Sequence, residues 1–140
     1  MKEYFHNYYL ENIDKHRERS RKWMKNERKN NPIFRLNNSM SSVMTSSLKR
    51  GKENKHWEEL INYSLIILKE HLEKQFQEGM SWNNYGRGGW NIDHIIPISW
   101  WEYEKPEDSE FKKCWALANL QPMWEKENFI KNNKLAYKIG

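Results

Sequence analysis

Asp93 and His94 stand side by side in the run Trp90-Asn91-Ile92-Asp93-His94-Ile95-Ile96-Pro97-Ile98. An acid next to an imidazole suits a hydrolytic metal centre. The carboxylate is a hard oxygen ligand for Mg²⁺ or Mn²⁺. The neutral imidazole can take a proton from water. Asn119 follows 25 positions after His94, and Asn128 nine positions after that. Asn side-chain carbonyls are hard oxygen donors too. Lys131, three residues beyond Asn128, shares its helix face and could reach a phosphate as a point charge. Each residue also has an ordinary structural explanation. Asp93 and His94 could be surface residues, Asn119 could cap a turn, and Asn128 and Lys131 could decorate a solvated helix. Their combined spacing is what points to chemistry.

The elements that must position them can be read from pattern and punctuation. Residues 90–98 read as a strand with Pro97 near its end. On a strand, neighbouring side chains point to opposite faces, so a bulge or strand end is needed to bring Asp93 and His94 to one site. A long connection over 99–116 includes a short helix from Ser109 to Trp115. Residues 117–123 read as a second strand, ended early by Pro122. Glu125 to about Asn133 reads as the closing helix. The order is therefore strand, long loop, strand, helix.

Upstream, residues 57–76 form the strongest helical stretch, with Ser64 a plausible N-cap and Leu65, Leu68, Leu72 and Phe76 on one stripe. Gly79 and the run 82–89 break regular structure. A further helix is expected over about 33–49 and a polar one over 8–29, separated by Asn30-Asn31-Pro32. The fold class expected is α+β: several helices, then a small strand–strand–helix finger at the C-terminal end.

At 140 residues the chain holds one compact core, with an arm at most. Mean hydropathy is −1.11, so that core must be small. Eight Trp, seven Tyr and five Phe supply much of it, because large rings bury much area per residue. No stretch approaches the roughly 18 apolar residues of a membrane span. The first residues, MKEYFHNYYLENIDKHRER, show no apolar h-region, so an intracellular setting is expected. The single cysteine, Cys114, allows no internal disulfide and no CxxC zinc pair.

Charge divides the chain. Residues 1–56 hold 14 Lys/Arg against 6 Asp/Glu, whereas residues 57–140 hold 10 against 13. A basic front joined to a mildly acidic body suggests a polyanion-binding arm over 1–56 and a working domain over 57–140. Nucleic acid is the commonest such partner. A membrane surface fits poorly, because the arm lacks a broad apolar face. The Lys49-Arg50-Gly51-Lys52 cluster reads equally as a helix stop.

The blocks Trp90 to Ser99, Asn119-Leu120-Gln121-Pro122-Met123-Trp124 and Glu127-Asn128-Phe129-Ile130-Lys131-Asn132 together resemble the HNH endonuclease family. These are the ββα-metal or His-Me finger nucleases common in phages and mobile elements. The run from His71 to Gly86 also looks like the lead-in of phage-type members. The resemblance covers residues 64–134, and its three blocks agree in residue type, order and spacing.

The resemblance implies a role for each matching position. Asp93 matches the metal-ligating acid and His94 the general base. Asn119 matches the middle Asn, which holds the loop and orients the histidine. Asn128 matches the third motif residue, a metal ligand that is His in many members, so this chain is an HNN variant. Lys131 matches a basic residue that often follows. The implied activity is hydrolysis of a DNA phosphodiester with one Mg²⁺ or Mn²⁺, inside a bacterial host. Many members knit the finger with two zinc-binding CxxC pairs. This chain has none, so no structural zinc is expected. Packing of Trp90, Trp100, Trp101, Trp115 and Trp124 should replace it, with Cys114 a buried, inert thiol.

Double-stranded DNA is then the expected partner, with Arg17, Arg19, Arg21, Lys22, Arg35, Lys49, Arg50, Lys52 and Lys131 as candidate contacts. The rival reading is a non-catalytic nucleic-acid-binding protein that keeps the finger as a scaffold.

Overall fold

The computed structural model describes residues 1–132. It is an α+β fold. The first helix, α1 (Lys2–Asn30), is continuous and buries no residue. Its sequence explains both facts. Good helix formers of both signs fill it, and Glu18 and Lys22 pair at i, i+4 with 3.2 Å between charged atoms. Asn31 ends it in an extended conformation, as the residue before Pro32 must. The same Asn31 starts α2 (Pro32–Ser47). Its Oδ1 accepts the Phe34 N–H at 3.1 Å, and Pro32 occupies the first helical position.

Leu36, Met40 and Met44 form the buried face of α2, and Leu48 continues it. They lie in the same core as Trp57, Leu68, Trp90, Phe111 and Trp115. The division expected at residue 56 therefore does not match the packing. The second helix belongs to the body, and α1 alone stands off it. Arg35 joins the two. Its guanidinium donates to Arg28 O at 2.9 Å and to Tyr85 O at 2.8 Å, and lies over the Tyr85 ring.

The helix expected over 57–76 is shorter and interrupted. Trp57–Glu59 is a 3₁₀ turn that carries the Trp57 ring fully into the core, its Nε1 donating to Asn37 Oδ1 at 2.8 Å. The helix proper, α3 (Leu65–Glu73), starts at its Ser64 cap, whose Oγ accepts from Ile67 N–H. Leu68 and Leu72 are fully buried, and Leu65 and Phe76 pack against the core at its margin.

The strand β1 (Trp90–His94) pairs antiparallel with β2 (Leu120–Trp124). Trp90 faces Trp124, Asp93 faces Gln121 and His94 faces Leu120. The first strand stops at His94, four residues earlier than expected. Ile95 N–H turns to Asn119 O at 2.8 Å, and Pro97 has no N–H to continue a ladder. The second strand, conversely, runs through Pro122. Both strands of a two-stranded sheet are edges, where a proline costs little. Residues 117–119 form a 3₁₀ turn rather than strand. Between the strands lies α4 (Ser109–Cys114), and α5 (Glu125–Lys131) closes the finger. Asn132 ends that helix at φ 49°. Asn133, the expected last helical residue, lies outside the described residues, as does the rest of 133–140.

Aromatic packing holds the finger. Trp90 is fully buried, with the rings of Tyr85, Phe76 and Trp82 at 4.8, 5.0 and 5.1 Å. The chain reaches it through Gly89, where a Cβ would lie 1.7 Å from Asn84 O; no other residue fits there. Trp115 is also buried, Trp101 and Trp124 pack against the same core, and Trp100 is half exposed. Among the described residues, no helix is long and apolar enough to cross a membrane.

Leu68→Ala should cost about 2–5 kcal/mol in urea unfolding, the usual range for emptying a packed leucine site. Ile66→Ala, on the exposed face of the same helix, should stay within about 0.5 kcal/mol. Equal losses would show that the stripe does not face the core.

Candidate functional site

Asp93, Gln121 and Lys131 meet where β1, β2 and α5 come together. Asp93 is buried, at 5% exposure. Its position opposite Gln121 lets Gln121 Nε2 donate to Oδ2 at 3.0 Å. Lys131, from the last turn of α5, donates to Oδ1 at 2.9 Å and to the backbone oxygen of His94 at 2.7 Å. Among the described residues Lys131 is the one buried lysine. A buried charge needs an opposite one, and Asp93 supplies it. Lys131 is therefore not a surface lysine free to touch a phosphate, as the sequence suggested. It ties α5 to the end of β1.

His94 leaves the strand on the other side. Its ring stands edge-on to Trp115, with centroids 4.5 Å apart and planes at 88°. Nε2 is shielded from solvent and has no hydrogen-bond partner among the described residues. Burial pushes the imidazole down to about 4, and the Lys131 ammonium adds to the effect. The ring is therefore neutral at physiological pH, the protonation state a general base requires.

Asn119 clamps the chain just after His94. Its Oδ1 accepts Ile96 N–H at 2.8 Å, and its Nδ2 donates to Ile96 O at 3.1 Å and Cys114 O at 2.8 Å. It touches backbone rather than the imidazole. His71 fixes the start of β2, with Nε2 2.9 Å from Leu120 O.

Asn128 is half-buried on α5, one turn before Lys131 and on the same face. Asp93 and Asn128 are both hard oxygen donors, and a pair of them leaves positions for water and phosphate, as Mg²⁺ prefers. A carboxylate offers about four lone-pair sites, of which two carry hydrogen bonds. The donor set fits a hard divalent cation provided that the Lys131 ammonium leaves Oδ1. Among the described residues there is no cluster of three or more His, Cys, Asp or Glu that could hold a metal.

The basic candidates separate into two groups. Arg17, Arg19, Arg21, Lys22 and Arg50 are exposed. Arg35 is a strut, committed to backbone oxygens and the Tyr85 ring. Lys49 is tied to Glu104 through both side chain and backbone, and Lys52 donates to Ser41 Oγ. Gln121 is the site residue that the sequence reading missed. Its place in the predicted second strand, opposite the acid, was the available signal. Cys114 is buried, and burial pushes its thiol up to about 12, which leaves it unreactive.

No family model matches the chain, and no solved structure matches it. Two curated proteins of Acanthamoeba polyphaga mimivirus are similar. Uncharacterized protein L426 is 33% identical over 102 residues, covering 73% of this chain and 44% of its own length. Uncharacterized protein L246 is 25% identical over 126 residues, covering 90% of this chain and 54% of its own. The chain thus spans about half the length of the curated relatives it matches.

Asn119→Ala should lower unfolding stability by about 2–4 kcal/mol, because Ile96 N–H and Cys114 O lose their Asn119 partner together and Ile96 O keeps only Trp101 Nε1. Urea denaturation checks this; a loss below about 0.5 kcal/mol would show that the clamp is not holding the loop. In the native protein Cys114 should resist a thiol reagent at pH 8 and react fully once urea unfolds the chain.

Proposed function

We propose that the chain is a metal-dependent DNA endonuclease of the ββα-metal type, acting on double-stranded DNA within a cell. The observation that carries this reading is the meeting of β1, β2 and α5 at one buried carboxylate. The reading is supported by Asp93 and the neutral His94 lying at the end of β1 and Asn128 lying on the helix that closes on it, the elements on which the HNH resemblance puts these roles.

In this reading Asp93 and Asn128 hold one Mg²⁺ or Mn²⁺. The ion, when bound, offsets the negative charge that builds on the leaving oxygen. His94 takes the proton of a water that attacks the phosphodiester. General-base help of this kind is typically worth about 10²–10⁴ in rate. Asn119 keeps residues 95 and 96 from drifting, and so fixes the direction from which the imidazole approaches. The exposed Arg17, Arg19, Arg21 and Lys22 of α1, with Arg50, supply phosphate contacts that set register without reading sequence.

The Asp93–Lys131 pair favours a second reading. A carboxylate already satisfied by a lysine suits a scaffold, and the protein would then bind nucleic acid without cutting it.

Supercoiled plasmid separates the two. Nicked or linear product that requires Mg²⁺ or Mn²⁺ is expected. His94→Ala should reduce it at least about 10²-fold while leaving DNA affinity nearly unchanged. DNA binding with no cleavage under either metal selects the scaffold.

The arm is tested by salt. If about half of the 14 basic residues in 1–56 touch phosphate, log K should fall with log salt at a slope of about −6. Removing residues 1–27, which carry seven Lys/Arg, should flatten that slope. A full slope in the truncated protein would place the phosphate contacts elsewhere.

A further inference from the structure

We propose that the Lys131 ammonium is a resident cation on Asp93 that a divalent metal must displace, so that Lys131 sets the metal affinity of the site. The inference rests on the nuclease reading above, and deepens it by naming what the metal competes with.

The Lys131 and Asp93 side chains are 6% and 5% exposed, and their charged atoms lie 2.9 Å apart. At that depth neither ion is tolerated without the other. The pair is also held from both ends. Gln121 fixes Oδ2, and His94 O takes a second Lys131 proton at 2.7 Å. A divalent ion on Oδ1 would sit next to Nζ with little water between them. A charge of +2 and a charge of +1 repel strongly at such a separation. The carboxylate therefore carries one cation or the other.

The lysine has a route out. It is the last residue of α5, and Asn132 after it ends the helix with a positive φ of 49°. Phe129 and Ile130 before it are exposed at 87% and 70%, so the end of α5 lies at the surface. Four rotatable carbons let Nζ move several ångströms without moving the helix. Once off Oδ1 the ammonium would be free to pair with a phosphate as a point charge. In the absence of metal it keeps Asp93 paired, so the fold does not depend on the ion.

Two measurements test this on the full chain. The first is a Mn²⁺ titration followed by electron paramagnetic resonance, on wild type, Lys131→Gln and Asp93→Asn. Wild type should bind, Asp93→Asn should lose the site, and Lys131→Gln should bind on the order of tenfold more tightly, since a competing charge is gone. The second needs no variant. Lysine acetylation of the native protein is mapped by mass spectrometry, with exposed Lys22 as the internal standard. Lys131 should be protected without metal and become several-fold more reactive at saturating Mn²⁺, while Lys22 stays constant. This second arm decides the matter if Lys131→Gln fails to fold. A wild-type site with equal or weaker affinity in Lys131→Gln overturns the exchange and leaves the nuclease reading standing. So does Lys131 acetylation that Mn²⁺ does not change. Absence of any Mn²⁺ binding by wild type overturns the metal-dependent reading, and the exchange with it.

Discussion

One buried ion pair organises the C-terminal half of this molecule. Asp93 sits on β1, Gln121 reaches it from β2, and Lys131 reaches it from α5. Breaking such a pair by removing one partner typically costs about 3–5 kcal/mol, because the survivor is left charged in a poor dielectric. The geometry around it follows. The closing helix must lie across the end of β1 for its last turn to deliver the ammonium. Asn128, one turn earlier, lies on the same face of α5 as Lys131. The His94 backbone, bound by Lys131 through its oxygen, and Asn119, clamping residues 95 and 96, then determine where the imidazole leaves the strand.

A two-stranded sheet and a two-turn helix cannot stabilise themselves. The support comes from aromatic packing. Trp90 is ringed by Tyr85, Phe76 and Trp82, while Trp57, Phe111 and Trp115 fill the other part of the core. The buried face of α2 covers this layer through Leu36, Met40 and Met44. Hydrophobic burial therefore supplies the support for the two strands and the closing helix.

Local features were legible in the sequence wherever the cause was local. Ser64 caps α3, Asn31 and Pro32 separate α1 from α2, and the strand–loop–strand–helix order follows from periodicity and punctuation. What was not legible depends on partners far along the chain. Arg35 looked like a phosphate contact, because its acceptor Tyr85 O lies 50 residues away. Lys131 looked like surface charge, because its partner lies 38 residues back. Trp57 was read as one more turn of a helix, whereas burial of its ring beside Asn37 pulls that segment into a 3₁₀ turn. The boundary at residue 56 failed for the same reason: charge changes sign there, but packing does not.

The central claim is that Asp93 and the Asn128 face of α5 form a divalent-cation site whose resting occupant is Lys131. A crystal structure grown in Mn²⁺, with data collected at the manganese edge, tests it most directly. The account predicts an anomalous peak within ligand distance of an Asp93 oxygen and the Asn128 carbonyl, with Lys131 Nζ withdrawn from Oδ1. A structure in saturating Mn²⁺ with no peak there, and with Lys131 still bonded to Asp93, would contradict it.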